Sequence, residues 1–326
     1  MFRTALSALL AAAFILLPPA ADAAERFHAP GLRSSAHIVL DAPVEKRSGA
    51  FVADDGRLQV GFVRPLDKSI PLPQWNAADG GFVTRIDATS QGAEGLRVKL
   101  ELGTVPGAFE VRVRGEDGDV QAATIDPLLA NEAWTPWTPG ETQEVEIYSR
   151  VSPSPQALRV SALLHFTDSP FAAKTAAACT LSTACSATET AYDAAITERK
   201  KSMARIQYVD SGGAFVCTAT LIDTPAHANF LLTANHCVNN ATAANSVNAF
   251  WFYEETACNS GIAPAAPSRT NGGTQLIFTN FNVDSSLLLM SASPPGAAVF
   301  APNAICTRSR TRARPPPPFF QKSNAA

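Results

Sequence analysis

Phe230-Leu231-Leu232-Thr233-Ala234-Asn235-His236-Cys237 is a short apolar run that ends in a histidine with a cysteine directly behind it. A general base in acyl transfer has to sit rigidly beside its nucleophile. A disulfide next to the histidine is one way to fix it, and Cys217, 20 residues upstream in Phe215-Val216-Cys217-Thr218-Ala219-Thr220-Leu221, is the natural partner. His236 is therefore read as a candidate base rather than as a residue that merely ends a strand.

Outward from this point the chain reads as many short strands: Arg205 to Val209, Ala214 to Ile222, Phe230 to Thr233, Ala249 to Tyr253, Gln275 to Phe278 and Ser286 to Met290. Turn signals separate them, a pattern that suggests a barrel. Residues 186 to 204 have helical composition, with no Pro or Gly from Ala187 to Arg199.

The upstream half, from about Ala24 to Pro170, also reads as all-β. Leu96, Val98, Leu100 and Leu102 alternate with Arg97, Lys99 and Glu101; Phe109, Val111 and Val113 with Glu110, Arg112 and Arg114; Val145 and Ile147 with Glu144, Glu146 and Tyr148. A period of two places one face on a core and the other in water. A small β-sandwich is the plain reading. Residues 168 to 178 read as a linker, and Lys174 in it is a candidate processing point.

The ends and the cysteines indicate the compartment. Arg3, an apolar run from Ala5 to Leu17 and the small-residue stretch Ala20 to Ala24 have the layout of a secretory signal peptide, cleaved after Ala23 or Ala24. The run is shorter than the roughly 20 residues needed to cross a hydrocarbon core, so no membrane association is expected after cleavage. All six cysteines, Cys179, Cys185, Cys217, Cys237, Cys258 and Cys306, lie in the second half. An even number in an exported chain suggests disulfides. There is no Cys-x-x-Cys and no His-Glu-x-x-His, so no metal and no cofactor is expected. The formal net charge of -3 gives no reason to expect a nucleic-acid partner.

Further motifs are Phe250-Trp251-Phe252-Tyr253 followed by Cys258, Asn271-Gly272-Gly273-Thr274-Gln275-Leu276, Asp284-Ser285-Ser286-Leu287-Leu288-Leu289 and Pro294-Pro295-Gly296. With the segments around Cys217 and His236, they make Arg205 to Ala301 resemble the first barrel of trypsin-like serine proteases, and more narrowly that of bacterial lysyl endopeptidases. The resemblance implies an all-β chain with a β-sandwich-like pro-region followed by the first barrel of a chymotrypsin-like double β-barrel. It implies the division 1–24 signal peptide, 25–170 pro-region, 171–301 N-terminal part of the protease domain and 302–326 tail. His236 would be the general base and Asp284 its buried orienting carboxylate. Cys217–Cys237 and Cys185–Cys258 would be bridges. Protein or peptide substrates cut after Lys or Arg, a pro-region packed on the protease domain, and secretion to the periplasm or the medium also follow from it.

The chain departs from the family after Asp284. The nucleophile would lie in a Gly-Asp-Ser-Gly-Gly turn of a second barrel, and none of the 25 residues after Ala301 forms that turn. The tail alternates Arg308, Arg310, Arg312 and Arg314 with small residues and then runs through Pro315 to Pro318, which reads as coding sequence out of frame. The expectation is a protease precursor truncated before its serine and inactive as it stands. Asp210-Ser211-Gly212-Gly213 has similar letters but reads as a hairpin turn. The competing readings are a secreted non-catalytic β-rich binding protein and a polyanion binder acting through the basic tail. Asn240-Ala241-Thr242 fits a glycosylation sequon and reads as a polar loop.

Overall fold

A computed structural model of the chain describes residues 25–44, 49–72, 74–171, 182–186, 190–262 and 267–301. The signal-peptide reading, Lys174, Cys179, Cys306 and the tail fall outside the described residues.

The first half carries β1 Ala36–Leu40, β2 Phe51–Val52, β3 Leu58–Pro71, β4 Asn76–Ala78, β5 Gly81–Ser90, β6 Gly95–Leu102, β7 Phe109–Arg114, β8 Val120–Ile125, β9 Glu132–Trp134, β10 Thr138–Pro139, β11 Thr142–Ser149 and β12 Leu158–Phe166. One sheet has the order β1-β5-β11-β7-β8, with β4 also on β5, and β1 runs parallel to β5. It faces β10-β6-β12-β3 of a second sheet. Ile86, Val111, Val113, Val145 and Ile147 from one side meet Leu96, Val98, Leu100, Leu158 and Val160 from the other, all 0% exposed. Period-two patterning thus builds the sandwich core.

The polar faces do not all meet water. Arg97 on β6 is 1% exposed and Glu146 on β11 is 0% exposed, which corrects the reading of both as solvent-facing. Glu146 is covered by the segment before β1: its carboxylate accepts the His28 and Ala29 amides and pairs with Arg85 at 2.7 Å. Arg97 is covered by the second half of the chain.

That half carries α1 Asp193–Arg199, β13 Met203–Asp210, β14 Gly213–Ile222, β15 Phe230–Thr233, α2 Ala241–Asn245, β16 Asn248–Trp251, β17 Ser268–Thr270, β18 Thr274–Asn280 and β19 Ser285–Met290. The expected helix over 186–204 shortens to α1 flanked by 3-10 turns. It has no side-chain N-cap and buries no residue, so neither capping nor packing extends it. The strand expected through Tyr253 stops at Trp251, because Phe252 turns to φ +58°. Strands β17-β16-β13-β14-β15-β19-β18 curl round a core that includes Ile206, Tyr208, Leu221, Leu231, Trp251 and Leu288. No ladder among the described residues joins β17 to β18, so the barrel does not close. Helix α2 lies against β18 there, and Thr274 Oγ1 donates to the Ala244 carbonyl at 2.8 Å.

β3 joins the two halves. Its Gly61 pairs with Phe166 of β12 on one side and with Ala214 of β14 on the other. A third core, with Val60, Trp134, Trp137, Leu164 and Phe166 from the first half and Val209, Ala214, Val216 and Phe250 from the second, fills the junction. Arg57 reaches across it to Asp210 at 2.8 Å and lies over the Phe215 ring.

Candidate active site

His236 follows β15 and is held by its neighbours. Thr233 Oγ1 donates to the Thr218 carbonyl, Asn235 Nδ2 donates to Thr279 Oγ1 at 2.6 Å, and the Cys237 and Val238 amides turn back to the Ala234 carbonyl. Cys237 is bonded to Cys217 of β14, and Val238 is fully buried in the barrel core. The ring is thus carried on a short turn clamped from both sides.

Asp284 approaches from the turn between β18 and β19. Asn280 Oδ1 accepts the Asn282 and Val283 amides, and Asp284 adopts φ +45°. This left-handed conformation is one that Asp tolerates better than most residues. It turns both carboxylate oxygens to one residue: Oδ1 accepts the His236 amide at 2.9 Å and Oδ2 lies 2.7 Å from His236 Nδ1. The His236 backbone N–H, and then its ring, hold the Asp284 carboxyl below the usual carboxylate range. With the carboxylate ionised, Nδ1 is the donor and Nε2 is left as the acceptor. A buried Asp284 is not what is found: its side chain is 53% exposed and that of His236 is 61% exposed. No described element packs over the pair. Leu232 on β15, Ile277 and Phe278 on β18, and Phe281 and Val283 in the turn that carries Asp284 are exposed apolar side chains. Period-two alternation did not flag Phe281 and Val283, because they lie in the turn itself.

Ser211 is not brought to His236. It sits at the tip of the β13–β14 hairpin with φ +47°, beside Gly212 at φ +80°, the two-residue turn that a tight hairpin requires. Gly213 to Cys217 is a run of β14 about 13 Å long, and His236 is at the Cys217 end. Asp210 of that turn is taken up by Arg57 and by Asn240 Nδ2. Asn240, the sequon residue, caps α2 by accepting the Ala243 amide, so its carboxamide is engaged at both ends.

A His236 ring nitrogen and the sulfurs of Cys217 and Cys237 lie within 4.8 Å of one another. The sulfurs are bonded to each other, so they are not thiolate ligands. The second bridge, Cys185–Cys258, ties the segment before α1 to the loop after β16. Among the described residues no helix is long and apolar enough to cross a membrane.

The Cys217–Cys237 bridge has a measurable consequence. Replacing both residues with serine is expected to lower stability by about 3 kcal/mol, the loop-closure value for a ring of this size. The same change frees the turn that carries His236. Urea unfolding reads the first effect, and the loss of slow exchange at the His236 amide reads the second. An unchanged midpoint would mean the bridge is not a constraint on the unfolded chain.

Residues 36–167 match the family model of the lysyl endopeptidase N-terminal domain, and residues 173–311 match that of the lysyl endopeptidase C-terminal domain. A lysyl endopeptidase of Pseudomonas aeruginosa is 27% identical over 314 residues, an alignment that takes in 86% of this chain and 66% of that protein. The chain therefore spans just under two thirds of the length of this relative.

Proposed function

From the premise that this chain belongs to the lysyl endopeptidase family, we propose that it is the precursor of a secreted serine endopeptidase that cleaves after Lys or Arg. His236 is the general base and Asp284 the carboxylate that orients it. The observation that carries this reading is the double engagement of Asp284, one oxygen on the His236 amide and the other on Nδ1. That grip sets the tautomer, so Nε2 can take the proton from a serine hydroxyl as it attacks the scissile carbonyl and hand it to the leaving amine. The Asp284 carboxylate stabilises the imidazolium that forms between the two transfers.

The nucleophile, the oxyanion donors and the pocket for the basic side chain come from outside the described residues. Residues 1–24 act as an export signal, and two disulfides suit an oxidising compartment. Residues 25–170 act as a pro-region, and the junction at β3 and β14 supports this.

Two measurements on the intact chain test the reading. A serine-directed phosphonate should label nothing, and labelling at Ser211 would overturn the assignment of roles. A low-field proton resonance from His236 Nδ1–H should be present and should vanish in Asp284→Ala. Its absence from the wild-type chain would remove the basis for His236 as an oriented base. The second reading, a secreted binding protein without catalysis, would then be favoured by the exposed apolar side chains on β15, β18 and the turn that carries Asp284.

A further inference from the structure

Arg97 is the most enclosed cation among the described residues. It stands on the face of β6 opposite the sandwich core and is 1% exposed. Its five hydrogen-bond partners are all neutral oxygens. From its own half of the chain, Nε donates to the Thr135 carbonyl at 2.6 Å and an Nη atom approaches the Trp134 carbonyl at 3.5 Å. From the barrel, Gln207 Oε1 accepts at 2.6 Å, the Ser246 carbonyl at 2.8 Å and Asn248 Oδ1 at 3.4 Å.

The barrel side holds its oxygens in place through contacts of its own. Gln207 and Asn248 are register partners on β13 and β16, so their side chains stand together. Gln207 Nε2 donates to the Tyr208 carbonyl, which turns Oε1 towards Arg97. Ser246 Oγ accepts the Val209 amide and donates to the Ala243 carbonyl, which fixes the residue whose own carbonyl accepts from the guanidinium. Asn248 turns its oxygen to Arg97 even though its own Nδ2 then finds no partner among the described residues. Gln207 and Ser246 are 0% exposed and Asn248 is 1% exposed. Without a donor, three barrel oxygens would be buried and unpaired, which is costly. A planar five-donor fork meets all three, and a point-like ammonium does not.

We propose that Gln207, Ser246 and Asn248 form a guanidinium-binding site on the barrel, and that Arg97 fills it as the key by which the N-terminal half is recognised. A carboxylate would attract any cation; neutral oxygens at fixed angles select the planar one. The site therefore distinguishes an arginine-bearing partner from a lysine-bearing one. It lies apart from His236 and Asp284 and does not depend on the protease reading.

Arg97→Ala in the full chain removes the atoms of one ethylguanidinium molecule, and that compound is the probe. The melting temperature of the variant should rise by a few degrees with ethylguanidinium and not with ethylammonium at equal ionic strength. The wild-type chain, whose site is filled, should respond to neither. Equal responses to the two cations, or an equal rise in the wild type, would overturn the proposal. If the variant is insoluble, it is refolded from urea with each cation. A soluble yield restored only by ethylguanidinium supports the site, and equal yields refute it. Arg97→Lys keeps the charge without the fork and should be destabilised like Arg97→Ala; wild-type stability in this variant would also refute the proposal.

Discussion

Replacing Gly61 with valine should cost about 3–5 kcal/mol and part the N-terminal half from the barrel. At this residue β3 lies between two strands, paired with Phe166 of β12 and Ala214 of β14. A Cβ atom there would stand 2.5 Å from the His165 carbonyl oxygen and 3.0 Å from the Phe166 Cα. Both are backbone atoms in a central ladder, so no side chain can swing aside to make room. The strand must shift, and the third core between the halves opens with it. Urea unfolding measures the loss. Hydrogen exchange at residues 213–216, which pair with β3, shows where it occurs. Gly107 has no atom within 4 Å of its would-be Cβ, and Gly107→Ala serves as the control with little expected change. A Gly61→Val chain as stable as the control would mean that β3 does not hold the two halves together.

The second large effect is on acid stability, and it arises one residue from the same junction. His165 of β12 is 2% exposed, lies against the Phe62 ring and places Nδ1 2.9 Å from Ser90 Oγ. Burial pushes the ring down to about 4 from its usual 6.5; the Arg64 guanidinium acts in the same direction and Glu141 against it. Arg64 also donates to Ser90 Oγ, so protonated His165 would face a cation through one shared hydroxyl. The folded state therefore binds its proton later than the unfolded chain does. Above pH 6.5 neither state is protonated at this ring and the native state is fully favoured. As pH falls from 6.5 towards 4 only the unfolded chain takes up the proton, and stability drops, by at most about 3 kcal/mol. Below 4 both states are protonated and the loss from this group levels off. The melting temperature measured between pH 7 and 5 should therefore fall in the wild type and fall less in His165→Gln. Parallel curves would show that His165 is not the group responsible.

The two halves of the chain differ in how far they could be read from residues alone. In the barrel half, strand positions and the turn at Asp210 to Gly213 were legible because hairpins are written locally, in period-two runs and Gly-rich turns. The meeting of His236 with Asp284 was legible only through the family resemblance. They are 48 residues apart, and an Asp before a strand is as often a plain turn residue. The exposure of that pair was not legible, since exposure depends on what packs above a turn. In the sandwich half, alternation correctly separated two faces of β6 and β11. It named the polar face as wet, whereas Glu146 is sealed by the segment before β1 and Arg97 by the barrel.

The sequence by itself determined the all-β class, the approximate places of the barrel strands and the cysteine-flanked histidine, because each depends on a few neighbouring residues and their intrinsic geometry. Tertiary structure alone decided which polar side chains are buried, which strand joins the halves and how Asp284 is turned. Those outcomes come from contacts between residues far apart in the chain, as with Arg97 and Gln207, 110 positions apart. Desolvation and hydrogen-bond satisfaction at such contacts are properties of the packed pair, and neither local stretch encodes them.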